Sequence, residues 1–277
     1  MNARERFRAP RNPKLRDEDA GLTPLREKNG DKNGGAKQRE RALTSELIGQ
    51  IAHFQEMLYA SHRQKLLLVL QGMDTSGKDG TTRALFSESK ISPMGLQATG
   101  FVAPSERERA HDFLWRVHAH VPGSGQIAVF NRSHYEDVLV PRVLGDIDGK
   151  ETKRRQAHIR DFERMLSETG TTIIKVFLHI SKDEQKKRLQ ERLDDPEKRW
   201  KFDPADLAAR EQWDAYHRAY EDAIAATNAE HAPWYIVPAD SKTHRNLIVA
   251  NLLLETMQDM KLSWPAPKAD LDTVKVE

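Results

Sequence analysis

The sequence predicts an α/β protein in which a parallel sheet is covered by helices on both faces. Short apolar segments alternate with longer segments of helical period, an order typical of parallel sheets. One apolar segment, 66–70, leads directly into a glycine-rich loop and a helix. Since the carboxyl ends of parallel strands meet at one edge, we expect ligands to bind along that edge.

The composition narrows the class of protein. A chain of 277 residues can form one sizeable α/β domain or two small ones. Cysteine is absent, which excludes disulfides, thiol catalysis and Cys-ligated zinc. No apolar run reaches the roughly 18 residues of a membrane span, and no apolar signal core is visible at the N-terminus, so we expect a cytoplasmic protein without membrane contact. The formal net charge of +2 argues against a general polyanion-binding protein.

The charge is nevertheless uneven along the chain. Residues 1–42 contain 12 Lys/Arg and 7 Asp/Glu, a net charge of +5 that leaves −3 for the remainder. Such a segment could bind a polyanion, but Gly, Asn, Pro and charged residues dominate it. A solvated, poorly ordered arm is therefore the favoured interpretation. Residues 266–277 are interpreted as a C-terminal tail.

The first half of the predicted domain is delimited by turn and capping signals. Ser105 and Glu108 form a capping box that opens a helix, and the turn at 122–125 follows that helix. The predicted strands are 66–70, 97–102 and 127–130, and the predicted helices are 42–60, 78–90 and 105–120. The apolar face of the first helix comprises Leu43, Leu47, Ile51, Phe54 and Leu58.

The second half continues the alternation. Segment 171–180 is the strongest strand signal because β-branched residues dominate it, and Ser181 with Glu184 forms a further capping box. The predicted strands are 171–180 and 234–237, and the predicted helices are 152–168, a charged helix from 181, 206–227 and 243–260. Gly72, Asn131 and Ser181 each follow a strand, so we expect them along one edge of the sheet.

The loop after the first strand has the spacing of a phosphate-binding loop. Residues 72–78 fit G-x-x-x-x-G-K, in which glycines let backbone N–H groups turn inward and the lysine reaches the outermost phosphates. The helix N-terminus adds its dipole. A plain glycine turn is the alternative, which the strand before the loop and the helix after it argue against. The predicted phosphate-binding residues are Gly72, Thr75, Ser76, Gly77, Lys78, Asp79, Gly80 and Thr81.

The loop departs from the usual pattern at the magnesium-binding position. Asp79 stands where Ser or Thr usually follows the lysine, and Asp74 adds a carboxylate inside the loop. Carboxylates are therefore candidates for holding a magnesium ion.

A second polar cluster, 131–137, follows the apolar strand at 127–130. Arg132 suits a phosphate through its planar guanidinium, and Glu136 and Asp137 could bind magnesium or orient an acceptor. A helix start rich in capping residues is the alternative. We expect His134 to form structural hydrogen bonds rather than act as a general base.

A third cluster is basic and follows the strand at 171–180. Asp194-Asp195-Pro196 interrupts its helix, and a mobile basic segment there would suit a lid that covers a transferring phosphoryl group and excludes water. A solvated helix face is the alternative, and Trp200 could stack on a base or anchor the lid. The cluster comprises Arg188, Arg192, Lys198, Arg199 and Lys201.

Together these clusters resemble the polyphosphate kinase 2 family. The matching stretches are 72–80, 111–116, 131–137, 193–202 and 232–235, and the resemblance covers about 47–265. Several stretches in the right order are far more specific than one glycine loop. The resemblance implies a single P-loop kinase domain over 43–265, with a five-stranded parallel sheet, flanking helices and a helical lid at about 186–205.

The resemblance also implies an activity. This is Mg²⁺-dependent, or Mn²⁺-dependent, transfer of a terminal phosphoryl group between inorganic polyphosphate and a nucleotide. Segment 134–137 is similar to the branch that accepts AMP and often ADP, whereas the branch restricted to nucleoside diphosphates has Trp-Tyr-Asn over 134–136. Adenine nucleotides, with guanine nucleotides also possible, are the implied partners, and the family suggests dimers or tetramers.

Site roles follow from the resemblance by position. Asp74 and Lys78 are the carboxylate and cation of the loop, Arg132 binds phosphate, and the lid cations are Lys198, Arg199 and Lys201. Asp74 and Asp137 are expected to hold the metal ion, and the nucleotide is expected to contact Arg132, Glu136 and Arg188. The expected catalytic residues are Asp74, Lys78, Arg132 and Asp137. Asn131 replaces an Asp found in part of the family, which leaves the metal ligands open.

Two other functions compete with this one. An ATP-dependent nucleoside or nucleoside-monophosphate kinase on the same fold would differ in its phosphoryl donor. A nucleotide-binding regulator or nucleic-acid-binding protein would bind without turnover, and its affinity for nucleic acid would fall steeply with salt. The sequence has no aromatic and basic nucleic-acid surface, so no nucleic-acid partner is expected.

Overall fold

The computed structural model describes residues 2–26, 35–87 and 91–267. Its centre is a five-stranded, wholly parallel sheet, as the sequence predicts. The strands are β1 (Lys65–Gln71), β2 (Leu96–Gly100), β3 (Ile127–Asn131), β4 (Thr171–His179) and β5 (Trp234–Pro238). Their order across the sheet is β2-β3-β1-β4-β5, so β1 lies at the centre.

Helices cover both faces of this sheet. No helix in the described ranges is long and apolar enough to cross a membrane. In chain order the α-helices are α1 (Ala3–Arg6), α2 (Gly35–Ser61), α3 (Lys78–Phe86), α4 (Glu106–Arg109), α5 (Trp115–His118), α6 (Glu136–Leu144), α7 (Gly149–Glu168), α8 (Lys182–Asp194), α9 (Pro204–Glu211), α10 (Trp213–Thr227) and α11 (Lys242–Asp259).

The central strand β1 is buried on both faces. Leu66, Leu68 and Leu70 belong to the core cluster that α2 and α11 cover, whereas Leu67 and Val69 belong to the cluster covered by α7 and α10. All five side chains are fully buried. A strand covered on both faces must be apolar throughout, which explains why its sequence shows no alternation.

The strand register aligns the ends that carry polar residues. Leu70 of β1 pairs with Asn131 of β3, and Gln71 pairs with Phe177 of β4. The residues that follow β1, β3 and β4 therefore lie along one edge, which confirms the prediction for Gly72, Asn131 and Ser181. Because β1 lies between β3 and β4, its loop opens into the crevice at the centre of that edge.

Residues 2–26 do not form the solvated arm that the sequence predicts. Ile236 N–H donates to the Phe7 carbonyl at 2.9 Å and Ala9 N–H to the Trp234 carbonyl at 2.8 Å, so the segment pairs with edge strand β5. The backbone N–H groups of Ala3 and Arg4 donate to Glu255 of α11. Five small or apolar side chains of this segment are buried, namely Ala3, Phe7, Ala9, Leu15 and Ala20. They are too widely spaced in the sequence to produce a periodic signal. The rest of the predicted arm includes residues 27–34, which lie outside the described residues.

Several predicted helices differ from those observed. The first helix begins at Gly35 rather than 42, and Leu43 on its predicted apolar face is 48% exposed, while Ile48 is buried. The predicted helix 105–120 is two short helices, α4 and α5, although its capping box at Ser105 and Glu108 is present. The predicted helix 206–227 is likewise divided into α9 and α10. Residues 88–90 and 268–277, parts of a predicted helix and of the predicted tail, lie outside the described residues.

Candidate active site

The loop between β1 and α3 is held so tightly that only glycine fits at two of its positions. A Cβ atom on Gly72 would lie 2.6 Å from the Leu178 carbonyl oxygen. A Cβ atom on Gly77 would overlap the Arg245 guanidinium, and Gly77 also has a left-handed φ of 103°. Thr75 has a φ of 63°, a left-handed conformation that is unfavourable for a β-branched residue. The loop therefore has the strained, turned backbone of a phosphate cradle.

Lys78 is folded into this cradle. Its ammonium donates to the Gly72 carbonyl at 2.7 Å and to the Met73 carbonyl at 3.2 Å, and the residue is only 8% exposed. Burial, followed by the nearby Arg132 guanidinium, lowers the pKa of Lys78. The predicted loop cation thus lies inside the loop, where a bound phosphate chain would meet it.

Asp74 and Arg132 connect the loop to the end of β3. The Arg132 guanidinium donates to Asp74 Oδ1 at 2.5 Å, and its other terminal nitrogen lies 3.8 Å from Glu136 Oε2. Burial alone raises the pKa of Asp74, but Lys78 and Arg132 outweigh it and hold that pKa below its usual value. Burial opposes the charge of Arg132, whereas Glu136 and Asp74 raise its pKa. Lys78, Asp74, Arg132 and Glu136 therefore form one cluster of oppositely charged groups.

Asn131 contacts the loop as well. Its side-chain amide donates to Asp79, the residue at the position where a hydroxyl usually follows the lysine. No group of three or more His, Asp or Glu suited to a metal ion occurs in the described part of the chain. A magnesium ion needs only one or two protein carboxylates when phosphates supply the other oxygens. Asp74 and the exposed Asp79 can therefore still supply such ligands.

Gln71, at the end of β1, is a site residue that the sequence analysis missed. Its side chain is fully buried, and its amide nitrogen donates to Glu136 Oε1 at 2.9 Å. Its amide oxygen accepts a hydrogen bond from Ser133 Oγ at 3.2 Å. Gln71 thereby fixes the carboxylate of Glu136 beside Arg132. A single polar residue at the end of an apolar strand was the available signal.

The segment after β3 is anchored by a fully buried polar network. Lys175 Nζ forms an ion pair with Glu163 Oε2 at 2.5 Å, and Tyr135 Oη donates to Glu163 Oε1 at 2.9 Å. His134 Nε2 lies 3.2 Å from the same oxygen, which confirms its predicted structural role. Burial alone raises the pKa of Glu163, but the Lys175 ammonium brings it below its usual value. The network holds the backbone that carries Arg132, whose φ of 63° is left-handed.

Arg188 supports the loop rather than presenting its charge to a ligand. The predicted nucleotide contact is only 5% exposed, and its five guanidinium N–H donors are all engaged. They donate to Glu184, to the Thr75 and Ser76 carbonyls of the loop, and to two carbonyls after β5. This role could not be predicted, because the sequence of a charged helix does not distinguish a buried arginine from a solvated one.

Asp137 does not contact the loop, although the sequence predicts that it holds the metal ion together with Asp74. Its carboxylate accepts a hydrogen bond from Arg116 at 3.0 Å, and its backbone carbonyl accepts one from Arg155. The residue lines a cavity of about 670 Å³ together with α4, α5 and α7. Neighbouring residues at a helix start point in different directions, so Glu136 faces the loop while Asp137 faces this cavity. The structure therefore does not pair Asp137 with Asp74.

The predicted lid cations contact their own segment rather than the loop. Lys198 pairs with Asp195, Arg199 Nε donates to the Leu193 carbonyl at 2.8 Å, and Lys201 lies 5.0 Å from the ring centre of Trp200. Trp200 is itself 77% exposed. The contacts of these three cations in the structure are therefore local ones.

A residue just after the predicted lid also reaches the loop, as Arg188 does. Asp206, at the start of α9, lies against Asp74 and forms an ion pair with Arg192 at 3.1 Å. Burial, followed by repulsion from Asp74, raises the pKa of Asp206 to about 6. This contact could not be predicted, because Asp74 and Asp206 are remote in the sequence.

A parallel sheet with a lysine-bearing phosphate loop, a neighbouring arginine and a basic segment after β4 defines the class of P-loop phosphotransferases. The comparisons with known proteins identify the family. The model of the polyphosphate kinase 2 family matches residues 34–265, and the chain belongs to that family.

Individual relatives agree with this assignment. The chain is 48% identical over 243 residues to an AMP/ADP-polyphosphate phosphotransferase of Meiothermus ruber, covering 88% of this chain and 90% of the relative. It is 44% identical to an ADP-polyphosphate phosphotransferase of Rhodopseudomonas palustris, covering 83% of each. The crystal structure of polyphosphate kinase 2 from Arthrobacter aurescens superposes with a TM-score of 0.90 at 43% identity, covering 98% of this chain and 94% of that one. The P-loop kinase fold expected from the sequence is therefore confirmed.

Proposed function

We propose that this protein transfers the terminal phosphoryl group of inorganic polyphosphate to AMP and ADP. The observation that carries the proposal is the cluster of Lys78, Asp74, Arg132 and Glu136 at the edge of the sheet, within a chain that belongs to this family. Relatives in this family are named for AMP and ADP as acceptors. The reverse transfer, from nucleotide to polyphosphate, uses the same groups.

The chemistry requires charge neutralisation more than proton transfer. The acceptor is already a phosphate anion, so it needs little help from a general base. The difficulty is the mutual repulsion of two polyanions, which Lys78 and the inward-facing N–H groups of the loop reduce at the donor chain. Arg132 lies beside the loop at the end of β3, where it can neutralise the oxygens of the transferring group. No covalent intermediate with the protein is needed.

We also propose Mg²⁺ as the cofactor, with Mn²⁺ as a substitute. Asp74 would hold the ion because its depressed pKa keeps it ionised, and Asp79 is a second oxygen donor on the same loop. When bound, the ion would neutralise charge on the phosphate oxygens. The proposal replaces Asp137 as metal ligand, since Arg116 pairs with that carboxylate.

The acceptor side of the site is assigned to Arg132 and Glu136. Gln71 fixes Glu136 where an acceptor phosphate on Arg132 would bring its nucleoside nearby. The lid cations Lys198, Arg199 and Lys201 would approach only after the lid moves. Use of guanine nucleotides, a dimeric or tetrameric state and a cytoplasmic location stay predictions.

Coupled turnover tests the proposal. Purified protein is incubated with Mg²⁺, long-chain polyphosphate and either AMP or ADP, and the nucleotides are separated by chromatography. We expect ADP and ATP from AMP, and ATP from ADP. ATP from ADP with AMP left untouched would contradict the role of Glu136. Transfer only from ATP to a nucleoside or monophosphate would contradict polyphosphate as donor.

A further inference from the structure

Arg245, in the first turn of α11, is a buried cation without an anionic partner. It is only 2% exposed, and none of the ion pairs among the described residues includes it. Its guanidinium donates to the Ser76 carbonyl at 3.1 Å and to Asn246 Oδ1 at 3.1 and 2.9 Å, which are neutral acceptors. The first turn of a helix is also an unfavourable place for positive charge.

The other buried arginines show that this arrangement is unusual within the molecule. Among the described residues, Arg116 and Arg188 are the two further arginines that are buried. Arg116 pairs with Asp137 at 3.0 Å, and Arg188 pairs with Glu184 at 2.8 Å. Burying an unpaired charge is strongly unfavourable, so Arg245 destabilises the ligand-free protein unless an anion compensates it.

The position of Arg245 indicates where that anion would lie. Its guanidinium occupies the space that a side chain on Gly77 would fill, and it lies 3.3 Å from the position of a Cβ on Gly80. No side chain therefore separates the cation from the backbone whose N–H groups form the cradle. Burial, followed by repulsion from Arg188, lowers the pKa of Arg245 to about 9, so it is still protonated at neutral pH.

We propose that Arg245 is kept without a counterion so that the phosphate chain bound in the loop serves as its counterion. Arg245 then acts across the loop backbone, as an electrostatic binding residue that does not touch the substrate. The low dielectric of the buried position makes this attraction stronger than it would be at the surface. The inference rests on the proposed function, because it requires a phosphate chain in the loop.

Asn246→Asp distinguishes two roles of Arg245, attraction of the bound phosphate chain and simple anchoring of the loop, because they predict opposite changes in affinity. The substitution keeps the acceptor that holds Arg245 but adds a carboxylate, so the buried charge gains a partner. We expect the melting temperature of the ligand-free protein to rise and the affinity for tripolyphosphate to fall about tenfold, measured by calorimetry at constant salt. If Arg245 merely anchors the loop, the strengthened pair would leave tripolyphosphate binding unchanged or tighter, which would overturn the proposal.

Asn251→Asp is the matched control. It makes the same substitution on the same helix, five residues or roughly 7.5 Å further along the helix axis. In the wild type, the Asn251 side chain donates to the Leu247 carbonyl. We expect it to change tripolyphosphate affinity less than about twofold, because distance and salt screen the new charge. An effect as large as that of Asn246→Asp would mean that net charge alone is responsible, and the proposal would fail.

Arg245→Gln is the second variant, in case Asn246→Asp does not fold. Glutamine keeps a donor for the Ser76 carbonyl but removes the charge. We expect about tenfold weaker tripolyphosphate binding, with a ligand-free melting temperature no lower than that of the wild type. Wild-type affinity in this variant would overturn the inference while leaving the proposed function intact. A wild-type protein that binds neither tripolyphosphate nor nucleotide would instead contradict the proposed function itself.

Discussion

The phosphate loop and the lid both supply cations, but the structure supports them in contrasting ways. Lys78 is 8% exposed and its loop rests on two buried arginines, Arg188 and Arg245. The lid cations, by contrast, lie on an exposed segment and contact residues within a few positions of themselves. Trp200 between them is largely exposed.

The difference indicates which part of the site already has its binding conformation before substrate binds. Hydrogen bonds to elements distant in the sequence fix the loop conformation. The loop is therefore already ordered before a phosphate chain binds. The predicted lid cations have local contacts instead. In the proposed function they would exchange these contacts for contacts with substrate. Substitutions in the loop should therefore affect chemistry strongly, whereas those in the lid should affect it modestly.

Lys78→Ala should have the largest effect. Removing a buried cation from the reacting centre should lower turnover by about a thousandfold or more, since charge neutralisation is the main catalytic demand. Circular dichroism should show an intact fold, because among the described residues Lys78 forms no ion pair and its ammonium donates only to loop carbonyls. Near-native turnover in the purified variant would contradict the expectation that loop substitutions affect chemistry more strongly than lid substitutions. Asp74→Ala is expected to abolish transfer likewise.

Gln71→Met should reduce activity less, and selectively. The methionine fills a similar volume but releases Glu136 Oε1 and leaves Ser133 Oγ without its acceptor. We expect kcat/KM for AMP to fall about tenfold more than kcat/KM for ADP, because the proposed role of Glu136 is in the use of AMP as acceptor.

Gln55→Met is the matched control for this substitution. Gln55 is equally buried and donates to the Ser92 and Met94 carbonyls, away from the site. It should lower the melting temperature comparably while leaving the ratio of AMP to ADP use unchanged. In the double variant Gln71→Met/Glu136→Gln, the first substitution should add little to the second. An unaltered ratio of AMP to ADP use in Gln71→Met would mean that Gln71 contributes only to packing and does not position Glu136.

The sequence predicted which residues meet at the edge of the sheet better than it predicted which residues hold them there. The glycine loop, Lys78 and Arg132 follow strands directly, and a parallel sheet places such residues together. Arg245 and Arg188 could not be assigned to the loop, because their partners are backbone carbonyls more than a hundred residues away. Asp137 was misplaced because sequence proximity to Glu136 does not show which way a side chain points. Residues 2–26 were wrongly predicted to be solvated, because they are held by backbone hydrogen bonds to β5. Amino-acid composition carries no information about such backbone pairing.

Lys201→Ala should have a smaller effect than any loop substitution. Lys201 contacts the exposed Trp200 and forms no ion pair among the described residues, so its loss should leave the melting temperature unchanged. We expect KM for polyphosphate to rise several-fold, with an effect that grows as salt is lowered, because a lid cation attracts the chain from a distance. A thousandfold loss of kcat would instead place Lys201 with Lys78 at the reacting centre.

Asp206→Asn should have the smallest effect on activity, and it tests the contact between Asp206, at the start of α9, and the loop residue Asp74. The folded-state pKa of Asp206 is raised to about 6, by burial and then by Asp74, so the folded protein binds this proton more tightly than the unfolded chain. The stability that this proton provides is present at low pH and is lost as pH rises from about 4 to about 6. Asparagine cannot lose a proton there, so the ligand-free variant should melt a few degrees higher than wild type at pH 7.5. The two proteins should converge near pH 4, as measured by thermal melts across this range. Equal melting temperatures at both pH values would show that Asp74 and Asp206 do not oppose each other, and the lid would then close without having to separate two carboxylates.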